Sequence, residues 1–144
     1  MDDEARAAST ARLVIIAPPG AWRDEAVEVL TQAWYLVSTI DHGGDLVAGG
    51  GEVSRADLAI VDLALHAPSG IDICAVLRSR SSVVVLAVGP GAAEDDVVAA
   101  CEAGADGCLV SPMSARILLA RVAGLLRRIP APARQWVNEP LRCG

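Results

Sequence analysis

The chain contains no lysine and no phenylalanine, and all 12 of its basic residues are arginine. Without lysine, neither Schiff-base chemistry nor a lysine general base is available. Positive charge is also in short supply, since 18 acids leave a net charge of −6. That balance argues against direct nucleic-acid binding by these residues, because neutralising phosphates requires a basic face. No apolar run approaches the roughly 20 residues of a membrane-spanning helix. Nothing ahead of Leu13 resembles a signal peptide, so a soluble, cytoplasmic protein is expected. The four cysteines, Cys74, Cys101, Cys108 and Cys143, form neither a CxxC pair nor a Cys/His metal pattern, and reduced thiols are the expectation. His42 and His66 each lack a second ligand nearby in sequence. No nucleophile–base pair or phosphate-cradling loop is visible, so an enzyme is not expected.

What the chain does have is apolar content, 53% of 144 residues, enough for one domain with one core. The stretch Ala56 to Gly70, ADLAIVDLALHAPSG, organises it. Leu58 to Val61 are continuously apolar rather than alternating, the pattern of a parallel strand covered on both faces. Asp62 then places a carboxylate at the carboxyl end of that strand, on the rim where open α/β sheets bind ligands. Leu13 to Ile16 and Ser82 to Val88 read as further buried strands, Tyr35 to Ile40 and Gly107 to Val110 as two more. Helical spacing of apolar residues predicts helices over Ala21 to Ala33, around Ile71, Cys74 and Leu77, from Ala93 to about Gly104, and from Ser114 to Arg128. Between Asp41 and Ser54, five glycines predict a short or poorly formed helix, each costing about 1 kcal/mol relative to alanine.

Two stretches carry a resemblance to a known family. ADLAIVDLALHAPSGIDICAVLR is similar to the third strand, phosphoacceptor loop and third helix of bacterial response-regulator receiver domains, with Asp62 at the acceptor position and Gly70 at the loop glycine. EAGADGCLVSP, Glu102 to Pro112, resembles the family's fifth strand and its proline loop. The likeness runs from Arg12 to Arg128. It implies a flavodoxin-like, doubly wound α/β fold: five parallel strands in order 2-1-3-4-5 with five helices. Residues 1–11 are then expected to be a disordered tail. Residues 129–144, with three prolines, are expected to be a linker leading into a truncated winged-helix DNA-binding domain of the OmpR/PhoB type.

Set against the family pattern, the pocket departs at nearly every functional position. Ala17 and Pro18 stand where receivers carry the acid pair that holds a divalent cation. Val88 or Gly89 replaces the hydroxyl residue, Ser111 the lysine, and Cys108 the aromatic of the switch. Magnesium binding is therefore expected to be lost, with no other cofactor, because one carboxylate is a weak ligand set. A phosphoryl group on Asp62 would add about 1.5 to 2 negative charges with no partner. The resemblance thus implies a degenerate, phosphorylation-independent receiver acting as a homodimerising module, with DNA contacted only through a missing C-terminal domain.

In OmpR/PhoB-type receivers the dimer face lies on the fourth helix, fifth strand and fifth helix. Here the positions of one charged pair fall at Val97 and Ile117, both apolar. Replacing both partners avoids an orphaned charge and would convert a switchable contact into a constitutive one. Asp106 and Arg121 remain for polar pairing, and Cys101 lies on the same face. The alternatives are a conventional phosphoacceptor at Asp62 with unusual metal ligation, fed by a sensor kinase, or a small-molecule sensor in the emptied pocket. Cys101 and Cys108 are read as small hydrophobes, with redox sensing as the competing role.

Overall fold

A computed structural model describes residues 10–44, 55–66, 68–90, 94–111 and 113–128. Five strands, β1 (Arg12–Ile16), β2 (Leu36–Ile40), β3 (Leu58–Asp62), β4 (Val84–Pro90) and β5 (Gly107–Ser111), form a parallel sheet in the order β2-β1-β3-β4-β5. That is the order expected from the sequence. The described residues hold four helices rather than five: α1 (Ala21–Gln32), α2 (Gly70–Arg80), α3 (Glu94–Ala103) and α4 (Ala115–Leu126). The helix expected within Asp41 to Ser54 falls largely on residues 45–54, which lie outside the described set. The tail and linker expected over 1–11 and 129–144 lie almost entirely outside it too. β4 starts two residues later than the apolar pattern predicts and continues to Pro90.

The continuous apolar runs are explained by burial on both sides of the sheet. Side chains alternate between the faces of a strand. Leu13, Ile15, Leu58, Ile60, Leu86 and Val88 pack on one face with Leu30 of α1 and Leu118, Val122 and Leu125 of α4. Val14, Ile16, Ala59, Val61, Val85 and Ala87 pack on the other with Ile73, Cys74 and Leu77 of α2 and Ala100 of α3. Each large side chain so buried contributes about 1.5 to 3 kcal/mol relative to exposure.

Helix ends are set by local chemistry. The Ser69 hydroxyl accepts from the Asp72 N–H at 3.1 Å and starts α2. The Ser114 hydroxyl accepts from the Ile117 N–H at 3.2 Å and starts α4, each worth about 1 kcal/mol. α1 and α3 end in the same hydrogen-bond pattern. Tyr35 N–H reaches back to Leu30 O and Trp34 N–H to Thr31 O, while Ala105 N–H reaches Ala100 O and Gly104 N–H reaches Cys101 O. This ending requires a positive φ, found at Gly104 (129°) and, unusually for a bulky residue, at Trp34 (76°). Gly70 is needed for space: a Cβ there would lie 2.6 Å from both the Asp62 carbonyl oxygen and Leu63 Cα. That close approach presses the start of α2 onto the end of β3 and fixes the loop after Asp62.

Candidate functional site

Asp62 ends β3 with 8% exposure and is the one buried charged residue among those described. Its register partner on β4 is Val88, one of the two residues that stand in place of the family's hydroxyl. Both carboxylate oxygens are engaged. Oδ1 accepts from the Ala64 N–H at 2.8 Å, an Asx-type turn that the loop itself supplies. Oδ2 accepts from the indole Nε1–H of Trp22 at 3.1 Å. Trp22 is the second residue of α1, and its ring packs against the core cluster formed with α4. The helix that opens on the rim therefore delivers a neutral donor to the acid.

Around that pair the rim is largely apolar. Ala17 is fully buried, and its N–H donates to Ile40 O at 3.0 Å. Pro18 is exposed at the following position. A Cβ on Gly89 would touch Leu63 Cδ1 at 3.1 Å and Val97 Cγ2 at 3.2 Å, so apolar side chains crowd the end of β4. The Ser111 hydroxyl is turned back to donate to Gly89 O at 3.0 Å. A cation does stand at the edge: Arg23 Nη1 donates to Ala17 O at 3.1 Å and to Asp41 Oδ1 at 2.6 Å. Its Nε is buried without a hydrogen-bond partner. Among the described residues no group of three His, Cys, Asp or Glu side chains could hold a metal ion. His42 and His66 are both exposed, and His42 Nδ1 accepts from Gly44 N–H at 3.1 Å.

The second candidate region is the surface of α3, β5 and α4. Val98, Val110 and Ile117 are 50%, 47% and 51% exposed, one from each element. Val97, expected on this face, is half-buried. It lies three residues before the buried Ala100, on the same stripe of α3, and packs against the core, so the outward position is Val98. Asp106 is exposed but bonded within the chain: its Oδ2 accepts from Arg78 Nη2 at 2.5 Å and from Val85 N–H at 2.8 Å. It ties α2 and β4 to the start of β5 rather than offering a carboxylate to Arg121. Arg121 instead spans β5, its Nη1 donating to Cys108 O at 3.4 Å. Cys101, exposed on α3, and Cys108, half-buried on β5, have their sulfurs in contact.

Sequence reasoning missed Trp22, Arg23 and Arg78. The available signal for Trp22 was an amphipathic ring in the first turn of the helix that starts at the rim; nothing in spacing pointed it at Asp62.

The profile of the response regulator receiver domain matches residues 19–123. The chain belongs to that family. The sensory transduction protein RegX3 of Mycolicibacterium smegmatis is 47% identical over 77 residues, 54% of this chain and 34% of RegX3. This receiver chain thus spans about a third of the length of that relative. Among solved structures, the receiver domain of the TMAO respiratory system response regulator TorR is 27% identical, with a TM-score of 0.73 over 83% of this chain and 99% of that one. DrrB of Thermotoga maritima, described as an OmpR/PhoB homologue, is 25% identical with a TM-score of 0.70, covering 83% of this chain and 54% of DrrB. No helix of the receiver, among the described residues, is long and apolar enough to cross a membrane.

Proposed function

We propose that this receiver serves a transcription regulator of the OmpR/PhoB type without phosphorylation of Asp62, as a homodimerising module that contacts its copy through α3, β5 and α4. The observation that carries the reading is the state of Asp62. Its two oxygens already accept from Trp22 Nε1–H and Ala64 N–H, and Ala17, Pro18, Val88 and Ser111 supply none of the charge that phosphoryl transfer needs around the transferring oxygens. On this reading the regulatory work moves to the surface where Val98, Val110 and Ile117 are exposed. DNA would be contacted by a winged-helix domain following residue 128, in keeping with the negative charge of the receiver itself.

One observation favours a second reading, a phosphoacceptor with unusual metal ligation: Asp62 keeps its place at the carboxyl end of β3, on the rim where such sheets do chemistry. A small-molecule sensor at the same rim has no comparable support. Sedimentation velocity with and without acetyl phosphate and magnesium separates the two. The proposal expects the same dimer in both conditions. Dimerisation only in the presence of the phosphodonor would overturn it.

A further inference from the structure

α3 packs against α2, β4 and β5. It contributes one buried residue, Ala100, where α2 and α4 contribute four each. Cys101 lies in the last turn of α3 and Cys108 at the second position of β5, seven residues on. Their Cα atoms are 6.9 Å apart, just beyond the usual span of a disulfide, and their sulfurs touch. Cys108 has a second option. Its Sγ lies 3.6 Å from Val97 O, where a thiol donates a hydrogen bond.

We propose that Cys101 and Cys108 form a reversible thiol–disulfide site that fixes α3 to β5 on oxidation by hydroperoxides. Cys101 is the exposed member and meets the oxidant. Its thiolate attacks one peroxide oxygen and breaks the O–O bond, giving a sulfenic acid and, from hydrogen peroxide, one water. The Cys108 sulfur then attacks Cys101 Sγ, forming the S–S bond and releasing the sulfenic oxygen as a second water. Two thiols lose two electrons and two protons in all. A dithiol reductant reverses the change by exchange through a mixed disulfide. Cys74 is the internal contrast. It is fully buried in the core, and burial pushes its thiol up to about 11 against a smaller lowering by Arg78, leaving it with little reactive thiolate.

The consequence for assembly rests on the dimer face proposed above, since Val98 is on α3 and Val110 on β5; the bond itself does not. Both cysteines fall in one tryptic peptide, residues 81–116, because no arginine lies between Arg80 and Arg116. The test is peptide mass spectrometry of the folded protein treated with hydrogen peroxide, then alkylated. The proposal expects this peptide to take up no alkyl group in most molecules and to lie about 2 Da below its unalkylated dithiol mass, the loss of two hydrogens. Dithiothreitol should restore it, and Cys101→Ser and Cys108→Ser should each abolish the change. Cleavage at Glu102 should leave the two halves joined. Slower amide exchange across α3 in the bridged form would support it further. Oxygen addition at Cys101 without a bridge would overturn the proposal, as would preferential coupling of either residue to Cys143. A bridge with no effect on sedimentation would uphold the site and count against the dimer face instead.

Discussion

The rim around Asp62 and the face made by α3, β5 and α4 are built from the same sheet, yet they are finished in opposite ways. At the rim most polar atoms find partners inside the chain, Arg23 Nε excepted: the acid is held by an indole and a backbone amide, Ser111 bonds back to Gly89 O, and Arg23 Nη1 bonds Ala17 O and Asp41. On the face, three branched apolar side chains are about half exposed on three different elements. A region whose hydrogen bonds close internally gains little from an incoming ligand, because binding would have to break them first. Exposed apolar side chains gather free energy only when something covers them. The contrast is what the proposed function rests on: a response at the surface rather than in the pocket.

Substitutions can break each side of that contrast separately. The largest expected effect is at Gly70, where alanine would drive a Cβ into the backbone of Asp62 and Leu63. Gly70→Ala should lower stability by about 3 kcal/mol, the upper end for overpacking, measured by denaturant unfolding. Ile117→Glu should weaken the dimer by a factor of about 30, about 2 kcal/mol, read by sedimentation equilibrium with unfolding unchanged. A variant as dimeric as the parent would remove the face from the account. Trp22→Phe keeps the ring but deletes the donor to Asp62. It should cost about 1.5 kcal/mol, as for a hydrogen bond to a charged group, followed by far-ultraviolet circular dichroism. It should leave the dimer intact. The smallest effect belongs to Arg78→Ala, since both ends of the Arg78–Asp106 bridge are 37% exposed and solvent screens them. A loss of about 0.5 to 1 kcal/mol is expected, with no change in sedimentation, because Asp106 is held toward α2 and β4.

The sheet was legible because doubly covered strands leave uninterrupted apolar runs, and Leu58 to Val61 announced both β3 and the acid at its end. Gly70 was legible as a loop glycine, although its reason, contact with the Asp62 backbone, is a matter of packing. Other contacts could not be read from spacing. Trp22 and Asp62 are 40 residues apart and Arg78 and Asp106 are 28 apart, so only the folded chain brings them together. The half-burial of Val97 was not legible for a different reason. One residue along a helix turns the side chain by about 100°, from the core to the surface, and family alignment alone did not fix that rotation against Ala100. Trp34 shows local preference overruled: a helix ending that favours glycine holds a bulky residue at φ 76°.

The central claim is that Asp62 is not used as a phosphoacceptor, and intact mass after incubation with acetyl phosphate and magnesium tests it most directly, with Asp62→Ala as the control. The account predicts an unchanged mass for both proteins, and no gain either in Trp22→Phe, because the charges that would hold a phosphoryl group are missing as well. An increase of about 80 Da, one phosphoryl group, in the parent chain but not in Asp62→Ala would contradict it.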